Sequence, residues 1–195
     1  MKMYIRNIVM ENIMIIREEE YMAKLILKTY YHDRYSGLVV ADKPDIQDST
    51  NGFGIEVVHA IDEKEIKKEV ESSISHRDKS GILTGTVKEY CGPALDMEDH
   101  FVVIVDAFLT KLEKLKGYAT FKYYDLFMFA SLDMYDDILV PLCDKLVQLN
   151  INDKTFRFVY VYSQNELICF DLHNKTIKKM QVNTDMIDDL LMTEL

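Results

Sequence analysis

Residues 38–59 read LVVADKPDIQDSTNGFGIEVVH, and the fold class turns on them. Leu38–Ala41 is short, apolar and rich in β-branched side chains, the composition of a buried strand. Asp42-Lys43-Pro44-Asp45 follows; the proline ends regular pairing and restricts Lys43 before it to an extended conformation. Asp48-Ser49-Thr50-Asn51-Gly52 is a run of turn formers. Phe53–His59 is a second strand, apolar except at Glu56 and His59. These features predict a hairpin of two strands joined by a loop of several residues.

On the N-terminal side, Met10–Tyr31 has the period of a helix. Ile16, Glu20, Ala23, Leu27 and Tyr30 fall on one stripe, which Glu20 interrupts with a carboxylate. On the other side, Ile61–His76 reads as a highly charged surface helix with a thin apolar stripe. Arg77–Pro93 reads as a loop with one short strand at Gly85–Tyr90. Ala94–Gly117 gives the clearest helical period through Phe101, Val105, Phe108, Leu112 and Leu115, and Gly117 stands where a helix stops. Lys111, Lys114 and Lys116 lie off that stripe and read as a solvated face rather than a phosphate-binding ridge. Asp125–Ala130 is a strand. Met134–Leu149 is a helix in which Pro141 predicts a kink or a break. Phe156–Tyr162 and Leu167–Leu172 are strands joined at Ser163-Gln164-Asn165-Glu166. Met186–Leu191 reads as a short terminal helix within an acidic C-terminal tail, residues 184–195, which holds no basic residue. Helices alternating with strands predict an α/β fold. It would be a single domain over residues 1–195, with a mixed β-sheet of about five strands flanked by helices.

Composition narrows the function classes. With 48% apolar residues, 3 prolines and 7 glycines among 195, the chain is neither disordered nor collagen-like. No apolar run reaches the roughly 18–20 residues of a membrane span. The N-terminal apolar stretch is broken by Asn7, Glu11 and Asn12, so no signal peptide is read. Cys91, Cys143 and Cys169 are scattered and form no CxxC pair, so reduced, partly buried thiols and a cytoplasmic location are expected. A net charge of −10 argues against a protein that simply coats nucleic acid. Contact through a local basic face, or through a metal ion held by carboxylates, stays open. Walker, GxGxxG, GxSxG and HExxH motifs are absent.

Chemistry concentrates in Pro44-Asp45 and Glu56. Carboxylates on neighbouring strands can converge on a hard divalent cation such as Mg²⁺ or Mn²⁺. Such an ion activates water and neutralises charge developing on a phosphodiester. Glu56 lies among Ile55, Val57 and Val58, so it needs a partner: a metal ion, or an Arg or Lys. Pro-Asp is also an ordinary turn dipeptide, which is the competing reading of Asp45.

Pro44-Asp45 followed by Glu56 in the frame GIEVV resembles the PD-(D/E)XK nuclease superfamily, which includes restriction endonucleases and Holliday-junction resolvases. The chain also resembles small bacterial proteins that pair a PD…GIEV segment with a later Lys-rich helix such as TKLEKLKGY, residues 110–118. The resemblance implies a restriction-endonuclease-like fold with a first helix, a mixed sheet core and a crossover helix. It implies Asp45 and Glu56 as metal ligands, with Glu20 assisting. The motif lysine is missing, since Val58 occupies its position. The resemblance then implies a displaced base, drawn from His59, Lys43, Lys64, Lys67 or Lys68, with His59 and Lys67 as the principal candidates. The expected function is metal-dependent hydrolysis of nucleic acid, possible also in a degenerate form. The alternative is an inactive nuclease-fold protein or inhibitor that uses acidic surface to bind a basic protein partner.

Overall fold

The computed structural model describes residues 19–60, 97–118, 120–130 and 136–194. Helix α1 covers residues 19–30 and α2 is His32–Tyr35. Three strands follow: β1 Val39–Val40, β2 Ile46–Asp48 and β3 Phe53–Ala60. Helix α3, Met97–Lys114, tightens into one 3₁₀ turn at Leu115–Gly117 and leads to β4, Tyr123–Ala130. Helix α4, Asp136–Leu149, connects to β5 Phe156–Ser163, β6 Glu166–Asp171 and β7 Thr176–Gln181. Helix α5, Thr184–Glu194, ends the described chain.

The strands lie in the sheet in sequence order, β1 to β7. Pairing is antiparallel from β1 to β3, parallel from β3 to β5, and antiparallel again to β7. The two parallel steps need crossovers, and α3 and α4 lie on the chain between the strands concerned. Both faces of the central strands are covered. Ile104, Phe108 and Leu115 near or on α3, with Leu142 and Leu146 of α4, pack on Leu126, Met128, Val159 and Val161. On the other face, Ile26 and Leu27 of α1, Tyr35 of α2, and Ile187 and Leu191 of α5 pack near Ile55, Val57, Phe127 and Tyr160. Strand alternation sorts β3 accordingly. Ile55 and Val57 face α1, while Val58 and Ala60 face α3. Glu56 has the parity of Val58 and so points to the α3 side.

The mixed α/β architecture matches expectation, but the sheet has seven strands rather than about five. Ile46–Asp48 is a strand of its own between the two strands expected to pair directly. It is short enough that its one buried apolar residue, Ile46, gives no pattern. Asp48 then shapes the turn to β3: its carboxylate accepts from the Asn51 amide at 2.9 Å and from Asn51 Nδ2 at 2.7 Å. Gly52 there takes φ +73°, which only glycine adopts freely. The other unforeseen strand is β7. It reads TIKKMQ and is largely exposed at the sheet edge, so it carries no hydrophobic alternation. Lys178 and Lys179 suit an edge, where charge discourages further pairing.

One local expectation is also revised, and one of two alternatives at Pro141 is excluded. Lys43 is not extended but sits at φ 58°, before a cis Pro44. Helix α4 runs through Pro141 without a break. Ile61–His76, with Lys64, Lys67 and Lys68, lies outside the described residues. So do Gly85–Tyr90, Cys91 and the first part of Met10–Tyr31. Cys143 and Cys169 are free and buried. Among the described residues, no helix is long and apolar enough to cross a membrane.

Candidate functional site

The loop from β1 to β2 is tied down before it delivers Asp45. The Ala41 amide donates to the Asp45 carbonyl at 2.8 Å. Gln47 Nε2 donates to the carbonyls of Asp42 and Pro44 at 3.1 and 3.0 Å. Pro44 also packs on Gly54 of β3. A Cβ at Gly54 would lie 2.6 Å from Pro44 Cγ and 3.2 Å from the Phe121 ring, so the missing side chain is what lets the loop approach. Asp45 thereby reaches past the end of β2 to the edge of β3, where its Oδ2 accepts from the Val57 amide at 2.8 Å.

Glu56 arrives from β3 itself and is 1% exposed. Lys111 of α3 bridges the two carboxylates. Its Nζ lies 2.7 Å from Glu56 Oε2 and 3.3 Å from Asp45 Oδ2. Tyr118, just beyond the 3₁₀ turn, donates its hydroxyl to the same Glu56 Oε2 at 3.2 Å. Two donors therefore share one oxygen. The other, Oε1, is buried with no hydrogen-bond partner. Burial pushes the Glu56 carboxyl above its ordinary range; the Lys111 charge opposes that shift and the Asp45 charge adds to it. Burial, reinforced by the Glu56 charge, also raises the Tyr118 hydroxyl, which stays protonated as a donor.

A cavity of about 160 Å³ opens beside this pair, lined by Glu19, Glu20, Asp45, Val57, Val58 and Lys111. Glu56 is not in its lining and meets it through Lys111. The expected residues thus divide. Asp45 and Glu56 are joined through one ammonium, and Glu20 lies on the wall of the adjoining cavity. His59 does not reach the pair. Its Nε2 lies 2.7 Å from Glu19 Oε1, and its ring stacks on Phe129 at 5.2 Å between centroids, on the α1 face. Lys67 lies outside the described residues. Lys43 is at the turn before Asp45, and Lys111 takes the place beside the carboxylates.

Lys111 and Tyr118 were not singled out from the sequence as site residues. Its place off the apolar stripe predicts a solvated Lys111, yet the side chain is 12% exposed. The signal was present: Ile104, Phe108, Lys111 and Leu115 recur at helical spacing, and the three apolar members are fully buried. A lysine in that register is a buried cation and requires an acid. Lys116, by contrast, is exposed and pairs with Glu113 at 2.6 Å.

Among the described residues, no three His, Cys, Asp or Glu side chains converge as a complete metal cage. Two carboxylates are nonetheless an ordinary protein share for Mg²⁺, which keeps several waters and takes other oxygens from substrate phosphates. The feature that suits a hard cation is the orphaned Glu56 Oε1; the acids lining the cavity, Glu19, Glu20 and Asp45, form no metal-holding group among the described residues. Lys111 sets a fixed ammonium between the two carboxylates. Compared with protein-family models, curated proteins and solved structures, the chain finds no match.

Proposed function

We propose that this protein is a metal-dependent nuclease on a restriction-endonuclease-like fold, hydrolysing phosphodiester bonds at Asp45, Glu56 and Lys111. The observation that carries the reading is the buried Glu56 carboxylate, with Oε2 bound by Lys111 and Tyr118 and Oε1 left without a partner. A structural ion pair accounts for the first oxygen but not the second. Asp45 and Glu56 would hold Mg²⁺ or Mn²⁺, with Glu20 assisting from the cavity wall. When bound, the ion supplies Lewis-acid polarisation of a phosphoryl oxygen and an acidified water. Lys111 takes the part of the absent motif lysine from the helix rather than from β3. Its ammonium orients the attacking water and stabilises negative charge developing on the phosphoryl group. Loss of one such preorganised contact costs about 10²–10³ in rate. Tyr118 keeps Glu56 in one orientation. A helix before the sheet, a mixed sheet core and a crossover helix support the same reading.

A second reading is favoured by one observation. Lys111 already sits between the carboxylates and offsets one of their two charges, as in an inactive descendant of the fold that binds a basic protein partner through acidic surface. The two readings separate in a cleavage assay with Mg²⁺ or Mn²⁺ on supercoiled plasmid, single-stranded DNA and RNA. Wild type should cut, while Asp45→Ala, Glu56→Gln and Lys111→Ala should lose at least about a hundredfold in rate. Equal inertness of wild type and variants on all three substrates overturns the nuclease assignment and leaves the second reading.

A further inference from the structure

Where β4 and β5 begin, two arginines share one aromatic ring, Phe158, and one of them holds a buried carboxylate. Asp125 is wholly buried, and both its oxygens are used. It accepts from Arg157 Nη2 at 2.8 Å and Nε at 3.3 Å, from the Tyr35 hydroxyl at 2.6 Å and from the Phe158 amide at 3.1 Å. Arg34 is left with neutral company. Its Nη1 donates to the Tyr160 hydroxyl at 2.8 Å, and its guanidinium lies 3.8 Å from the Phe158 ring centroid. The Arg157 guanidinium lies 4.5 Å from the same centroid. Ring faces hold a cation in place without neutralising it. Among the described residues, Arg34 thus has no acid in hydrogen-bond contact and feels the Asp171 charge only through space, which leaves its guanidinium open to a further anion.

Two cavities flank this cluster. One, about 860 Å³, is lined in part by Tyr30, Tyr31, Arg34, Asn51 and Lys178. The other, about 720 Å³, is lined in part by Phe121, Lys122, Tyr123, Lys154 and Arg157. Phe53 and Tyr123 stack at 5.3 Å between centroids and join the two rims. Lys178 and Lys122 place their ammoniums over Tyr31 and Tyr123. The acids present offset these charges only in part. Asp33 is fully exposed beside His32. Asp171 accepts from the amides of His173 and Asn174 and from Asn174 Nδ2; against the effect of burial, these bonds and the Arg34 charge hold its carboxyl below the ordinary range, so it offsets part of the Arg34 charge. Asp153 faces the second cavity as its one uncommitted carboxylate among the described residues.

We propose that this end of the sheet is the track for a single nucleic-acid strand. Its phosphates would lie on Arg34, Lys178, Lys122 and Lys154, and its bases against Tyr31 and Tyr123. Cations alternating with aromatic faces are the chemistry that holds an unpaired strand. The track also leads to the carboxylates. Lys154 Nζ donates to the Tyr118 carbonyl at 2.7 Å, while the Tyr118 hydroxyl binds Glu56. Phe121, in the wall of the second cavity, packs on Gly54, two residues from Glu56. The inference rests on the nuclease reading, for which it names a single-stranded substrate.

The test is binding of a fluorescein-labelled single-stranded DNA of about 12 nucleotides. It is run in EDTA, so that no cleavage occurs, across a salt series. Lys122→Glu/Lys178→Glu changes two exposed residues and should bind at least about tenfold more weakly, with a salt slope shallower by about 1–2. Lys114→Glu/Lys145→Glu, equal in charge change and on helices α3 and α4 where neither lysine lines either cavity, should bind as wild type. The track is overturned if wild type does not bind, if the track variant binds as wild type does, or if the control variant weakens binding equally. The two assignments fail separately. Salt-dependent binding lost in the track variant, with no cutting in Mn²⁺, leaves the track and removes the nuclease. Cutting of single strands unaffected by the two lysine reversals leaves the nuclease and removes the track.

Discussion

At Glu56 an ionisable group stands where water cannot reach one of its oxygens, and the consequence is measurable as a pH dependence. Burial raises the carboxyl above its ordinary value of 4.5, against the pull of Lys111. The folded protein therefore binds a proton more readily than the unfolded chain does. By linkage, this group contributes stability below its unfolded pKa and loses that contribution as pH rises through its folded pKa. Glu56→Gln keeps the shape of the side chain and removes the titration. In urea unfolding with EDTA, the stability of wild type relative to Glu56→Gln should fall as pH rises from about 4.5. Adding Mn²⁺ should restore the wild type and not the variant, because a ligand bound to the native state alone stabilises it. A wild-type-minus-variant difference that is flat with pH, or equal restoration of both proteins, would show that Oε1 has neither the burial nor the ligand argued for it.

Among the elements, α5 shows how composition and packing can point in different directions. Its acidic residues suggest a tail available to a basic partner, yet Ile187 and Leu191 are 2% and 6% exposed in the core under the sheet. Asn183 caps the helix, its side-chain oxygen accepting from the Met186 amide at 3.2 Å, and its own amide donates to the Tyr30 hydroxyl at 2.7 Å. Removing a buried side chain of this size costs its transfer energy and leaves a cavity. Ile187→Ala should lower unfolding stability by about 2–4 kcal/mol, read from the urea midpoint. A loss under about 0.5 kcal/mol would mean that α5 detaches without consequence. The same contrast explains what the sequence made legible. Long elements with an apolar stripe or run, such as α3, β4 and β5, could be recognised because burial imposes periodicity. β2 has too few residues for a period, and β7 is an exposed edge with no apolar face to announce. At the site, Asp45 and Glu56 were legible because carboxylates are conspicuous beside a proline turn and inside an apolar strand. Lys111 was hidden among other lysines of one helix, and only its register with Phe108 and Leu115 set it apart.

On the scale of the molecule, the sheet brings distant parts of the chain to one buried acid. Tyr35 comes from α2, Asp125 from β4, and Arg157 with Tyr160 from β5. Asp125 is the centre, and burial raises its carboxyl while Arg157 and the Tyr35 hydroxyl oppose that shift. Deleting Arg157 would leave a buried charge uncompensated and costs about 3–5 kcal/mol in comparable cases. The more discriminating change is Tyr35→Phe, which removes one oxygen and almost no volume. It takes away the 2.6 Å donor to Asp125 and a 2.9 Å contact with the Tyr160 hydroxyl, leaving Asp125 on Arg157 and the Phe158 amide. The expected loss is about 1–3 kcal/mol, the cost of leaving a buried polar atom short of a partner. The network joins α2 to both central strands, so amide exchange should quicken at Tyr35 and Phe158 together rather than at α2 alone. If stability is unchanged, or exchange quickens only in α2, the hydroxyl is an ornament on a sheet that hydrophobic packing already holds. If both regions loosen, Asp125 couples the helix bearing Arg34 to the strand bearing Arg157.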